Sequence, residues 1–172
     1  MTNFTLITEQ SQSTAARLAR VLADTYVLYT KTQGFHWNVT GPHFRALHGM
    51  FEEQYTDLAA AVDMLAERIR GLGAFAPGSL IQLQRLATLS EEQSVPGHVE
   101  MIQQLYEGHQ VVQTTIREVL SSVASTGDAS TEDMLIERLR VHEKAAWMLR
   151  AHLEQPIAAL ATVHESDLAL TS

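Results

Sequence analysis

The stretch KTQGFHWNVTGPHFRALHGMFEEQYTDLAAAVDMLAERIRG, residues 31 to 71, decides how this chain is read. Histidines and carboxylates crowd here around a Trp and a Thr-Gly-Pro break, in a protein that has no cysteine. Between Pro42 and Gly71 only Gly49 interrupts a helix-forming run, and Pro42 suits a first helical position. The segment is expected to close one helix, restart sharply at Thr40, Gly41 and Pro42, and continue as a second helix to about Arg70.

At 100° per residue, His48, Glu52, Asp63 and Glu67 fall within an arc of about 100° on that second helix and form one stripe. Yet His48 and Asp63 stand about 22 Å apart along a straight helix. One metal ion cannot bridge them within a chain. The stripe is symmetric about the midpoint between Asp57 and Leu58, with His48 mirroring Glu67 and Glu52 mirroring Asp63. Two copies packed antiparallel around a two-fold axis would therefore set His48 opposite the partner's Glu67 and Glu52 opposite the partner's Asp63. Each of two equivalent sites would take His36, His48 and Glu52 from one chain and Asp63 and Glu67 from the other.

Outward from this segment the pattern stays helical. Leu18, Val21, Leu22, Tyr26 and Leu28 follow a cap at Ser13 or Thr14, which predicts a first helix over roughly 13 to 35. Gly71 to Gly97 makes a connection too long for a hairpin, and SLIQLQRLATL within it fits a short helix. A third helix is expected from about His98 to Val123. A fourth, capped at Ser130 or Thr131, runs to about Glu154 before Pro156. Four long helices, with a short one in the crossover between the second and third, predict an all-α, ferritin-like four-helix bundle. The 172 residues fit a single domain, with tails over 1–12 and 156–172.

Composition narrows the chemistry. Hydrophobic residues make up 45% of the chain and the net charge is −8, which favours cations over nucleic acid or anionic membranes. The amino-terminal sequence does not read as a signal peptide, and no apolar run is long enough to span a bilayer, so a cytoplasmic setting is expected. Without thiolates, imidazole and carboxylate are the ligands available, a mixture suited to Fe(II) and Fe(III) that also accepts zinc. No Asp or Glu has a His three residues later, so the Glu-x-x-His pairs of internal di-iron bundles are missing.

HWNVTGPHFRALH and AVDMLAERI, with the later EKAAWML, resemble the Dps family, the miniferritins named as DNA-binding proteins from starved cells. The resemblance covers about residues 10 to 155. The family's ferroxidase signature is a His-Trp-Asn triplet, a second His 12 residues on, an Asp 15 further and a Glu four beyond. His36, His48, Asp63 and Glu67 match it. What the resemblance implies is a hollow dodecamer that oxidises Fe(II) with hydrogen peroxide, or with oxygen, at sites between subunits. Ferric mineral is then stored inside, which protects against oxidative stress. It also implies a supporting role for Glu52, and for Trp37 a place beside the iron where it absorbs stray oxidising equivalents. Asp128, Asp133 and Glu137 fall where family members line acidic pores for iron entry, although acidic residues also suit any helix start.

Other readings of the same residues stay open. Asp63 and Glu67 also fit solvated partners of Arg70, Trp37 and Trp147 fit core or interface aromatics, and Glu53 and Asp57 show that this helix carries ordinary surface carboxylates. DNA binding in many Dps proteins depends on a basic tail. Here the first basic side chain is Arg17 and none follows Arg150, so tail-mediated DNA binding is expected to be weak or absent. An alternative role as a DNA-compacting protein would rest on scattered arginines such as Arg17, Arg20, Arg138 and Arg140.

Overall fold

The computed structural model describes residues 9–154, and five helices account for most of them. They are α1 (Glu9–Asn38), α2 (Phe44–Gly71), the short α3 (Leu80–Leu86), α4 (His98–Val123) and α5 (Ala129–Leu153). Among the described residues there is no strand, and no helix is long and apolar enough to cross a membrane. α1 packs on α2 and α4, α4 packs on α5, and α3 lies against α1. Leu18, Leu22, Leu28, Leu47, Phe51, Leu58, Leu65, Leu105, Ile116 and Leu135 fill the centre, and α2 and α4 each bury one face at helical spacing. The four-helix bundle with a short helix in its long crossover is the architecture the sequence predicts.

Three boundaries differ from the expectation, each for a local reason. α1 begins at Glu9, so residues 9–12 of the expected amino-terminal tail are helical, and the remaining tail segments lie outside the described residues. Pro42 does not open α2: Gly41, at φ 104°, accepts a bond from Phe44 N through its carbonyl, placing Pro42 at the second position of a turn with His43 as N-cap. α5 is capped by Asp128 rather than by Ser130 or Thr131, since Asp128 accepts from the Thr131 backbone N–H. α3 has a complete capping box between Ser79 and Gln82.

The crossover is held down at one buried carboxylate. Asp24, fully enclosed on α1, accepts from Thr88 N (2.6 Å), Thr88 Oγ1 (2.7 Å), Leu89 N (2.9 Å) and Thr115 Oγ1 of α4 (2.9 Å). Four donors satisfy the charge that burial would otherwise penalise. Close by, α1 and α4 approach so tightly that a Cβ on Gly108 would lie 2.7 Å from Leu28 Cδ1.

Between α2, α4 and α5 the interior is polar. Arg138 makes a two-pronged pair with Asp57 (3.1 and 2.6 Å), and Arg68 bonds to Thr131 and Asp128. Next to the Arg138 pair, His109 and His142 share a hydrogen bond between their Nδ1 atoms (2.9 Å), and Gln113 Nε2 donates to the His142 carbonyl. Burial pushes the His109 imidazole down to about 3 from an ordinary 6.5, with Arg138 adding to the shift and Asp57 opposing it. Burial lowers His142 as well, with His109 and Arg138 contributing. Both rings are core groups kept neutral.

Two outcomes follow from these anchors. Asp24→Ala leaves the two amides and the Thr88 hydroxyl without their acceptor, Thr115 Oγ1 keeping the Val111 carbonyl, and is expected to lower stability in denaturant titration by about 3 kcal/mol; a loss below about 1 kcal/mol would refute the anchoring role. An unfolded chain takes up protons at these histidines near pH 6.5, whereas the folded His109 resists protonation to about 3. Stability is thus fully present above pH 6.5 and is lost as pH falls toward 3. Denaturant midpoints measured from pH 7 to pH 4 should decline steadily, and His109→Gln should flatten that decline.

Candidate metal centre

α1 ends and α2 begins at the same corner of the bundle, and the two histidines of the signature meet there. His36, on the last turn of α1, is buried, while His48 on the second turn of α2 is half-buried. Their rings stack at 3.8 Å between centroids, 20° from parallel. Each Nδ1 lies 2.9 Å from the other residue's backbone carbonyl: His36 Nδ1 to the His48 oxygen, and His48 Nδ1 to the His36 oxygen. A carbonyl only accepts, so both Nδ1 atoms must carry hydrogen. In the neutral rings both Nε2 atoms are then unprotonated lone pairs, the state a metal ligand requires. The reciprocal backbone bonds thus hold both rings in the tautomer that leaves each Nε2 lone pair available.

The carboxylates lie further along α2 and all are exposed: Glu52 one turn beyond His48, then Asp63 and Glu67 at the far end of the stripe. Among the described residues no three His, Asp or Glu side chains converge as a metal site. Helix rise is the reason, since α2 runs without a break from Phe44 to Gly71. Arg70 does not neutralise the two acids. It donates to the Ala74 carbonyl at 2.8 Å and lies over the Phe75 ring at 4.5 Å.

Other residues singled out from the sequence are distributed as follows. Trp37 is 68% exposed and lines a cavity of about 380 Å³ with Lys31, Phe35 and the crossover residues Glu91 to Val95. Within the chain, Tyr55 meets His36 edge-on at 5.1 Å, and Phe44 covers His48 at 5.1 Å. Tyr55 was legible only as the residue seven after His48, on the same helix face. Asp128 is partly buried, which alone would raise its carboxyl. Hydrogen bonds from Arg68 and Thr131 outweigh that and hold it below the ordinary value. Asp133 and Glu137 are exposed, and Glu137 lies 3.6 Å from Arg140.

The arrangement has counterparts. Residues 15–156 match the family model described as a ferritin-like domain. A protein of Nostoc sp., described as an uncharacterized low temperature-induced protein, is 40% identical over 161 residues, spanning 90% of this chain and 88% of its own. DNA protection during starvation protein 2 of Bacillus anthracis is 35% identical over 141 residues, spanning 80% of this chain and 94% of that one. The crystal structure of the Dps protein from Vibrio cholerae O1 matches with a TM-score of 0.81 and 36% identity, over 84% of this chain and 91% of that one. That protein is described as a member of a broad superfamily of ferritin-like diiron-carboxylate proteins. With domain, relatives and bundle in agreement over most of its length, the chain belongs to the Dps family of ferritin-like proteins.

Proposed function

We propose that this protein is a ferroxidase and iron store whose oxidation sites form between two copies of the chain. The observation that carries the reading is the reciprocal lock of His36 and His48, which leaves two Nε2 donors ready for a divalent ion. The exposed Asp63 and Glu67 supply the anionic half of a second site on the same helix. A two-fold partner running antiparallel to α2 unites the halves. At the level of Asp57 and Leu58 the outward positions of α2 are Thr56 and Ala60, small side chains that allow close approach.

The donor set suits the chemistry. Imidazole and carboxylate together accommodate iron in both oxidation states, so Fe(II) binds as substrate and leaves as Fe(III), with zinc as competitor. Hydrogen peroxide is the oxidant we assign, with oxygen as the alternative. Ferric product collects as mineral inside a closed shell of twelve chains, in the cytoplasm, where removing iron and peroxide together limits oxidative damage. Glu52 assists from one turn beyond His48. Asp133 and Glu137, with Asp128 behind them at the start of α5, are assigned to the acidic iron entry.

DNA compaction is not favoured. Of the arginines that would carry it, Arg20 lies near Glu118, Arg138 is bonded to Asp57, and Arg140 lies near Glu137. Phosphates would have to displace carboxylates at these positions.

Subunit sharing is testable by complementation. His48→Ala or Asp63→Ala should each slow Fe(II) oxidation by about a hundredfold or more, with the mass of the assembly unchanged. Co-expressing the two variants in equal amounts should restore about a quarter of the sites, because half of random pairs are mixed and each mixed pair rebuilds one of its two sites. No recovery in stopped-flow absorbance would sink the shared site.

A further inference from the structure

The rings around the histidine pair do not end at the ligands. Tyr55 meets His36 at 5.1 Å, Tyr29 meets Tyr55 at 6.4 Å, and Tyr26 meets Tyr29 at 5.9 Å. All three phenols are partly buried, and Tyr26 and Tyr29 lie against the apolar core. The chain of rings leads from the metal ligands along α1. On the other face of His48, Phe44 offers no hydrogen to abstract, and Trp37 lies on a different surface beside the crossover.

The geometry points to a tyrosine relay: Tyr55, then Tyr29, then Tyr26 receive one-electron oxidising equivalents generated at the His36–His48 site. The inference rests on the ferroxidase reading and concerns what happens when peroxide meets a single Fe(II). Peroxide then takes one electron and one proton, its O–O bond breaks, and Fe(III), water and a hydroxyl radical result. Tyr55 gives its phenolic hydrogen to that radical, forming a second water and leaving a neutral tyrosyl radical. A phenol is easier to oxidise by one electron than an imidazole, so the ligands are spared.

Electron transfer from Tyr29 to Tyr55, and from Tyr26 to Tyr29, moves the radical onward. At each step the donor phenol releases its proton and the acceptor regains one. A second Fe(II) reaching the site closes the cycle, returning one electron which, with one proton, restores the phenol. The sum is two Fe(II), one peroxide and two protons giving two Fe(III) and two waters. The relay thereby converts a damaging one-electron event into complete reduction of peroxide.

The test is rapid-freeze electron paramagnetic resonance on the assembled protein. It is loaded anaerobically with less than one Fe(II) per chain and mixed with hydrogen peroxide, and iron oxidation is followed by absorbance in the same samples. Wild type should show a tyrosyl signal. Tyr55→Phe should lose that signal and release more hydroxyl adduct to an added spin trap, with helicity by circular dichroism confirming the fold. Tyr29→Phe should retain a signal of altered hyperfine pattern, since the radical then stays on Tyr55. An unchanged signal in Tyr55→Phe, or none in wild type that has oxidised its iron, overturns the relay. Iron left unoxidised by wild type overturns the ferroxidase reading beneath it.

Discussion

Two imidazole-to-carbonyl hydrogen bonds fix the corner on which the candidate site depends. They tie the last turn of α1 to the second turn of α2 and set the direction in which α2 leaves that corner. The same bonds choose the tautomer of both rings. One interaction thus serves packing and ring orientation together: a change that shifts either helix also shifts both Nε2 atoms. A carboxylate, a backbone carbonyl or water commonly orients a metal-binding imidazole in this way. Here each histidine's own backbone carbonyl orients the other's ring.

The rigidity of α2 is the complementary constraint. A helix that bent back would gather its own carboxylates around its own histidines, but an unbroken run from Phe44 to Gly71 holds them apart. Polar groups elsewhere in the bundle have different work. Arg138 with Asp57, and Arg68 with Asp128 and Thr131, join α2 to α5 by directional contacts. These pairs are only partly buried, with Arg138 the one enclosed member, so their net stabilisation over apolar packing is small. They hold α2 in one register against α5.

Much of this was legible in the sequence, for reasons that can be named. Long apolar periodicity with few Gly and Pro residues specified four helices, and the Ser79 to Leu86 segment announced its short helix. The stripe of His48, Glu52, Asp63 and Glu67 followed from helix geometry alone. Caps were misread where a tertiary partner decided the matter: Asp128 starts α5 because its carboxylate also meets Arg68, a residue 60 positions away. The reciprocal histidine lock was hidden for a similar reason, since backbone carbonyls leave no mark in a sequence. His109 and His142 carried no spacing signal because they lie on different helices and meet only in the core. Trp37 is exposed beside the crossover, and its expected place next to iron depends on a second copy of the chain.

The grip of Asp24 on Thr88 and Leu89 bears on how the chain breathes. A segment between two long helices would ordinarily exchange its amide hydrogens fastest, as an independent flap. These two amides are instead closed off by a carboxylate in the wall between α1 and α4. Their exchange therefore reports on the loss of this carboxylate grip, and this part of the crossover should open later than a connection with no such anchor.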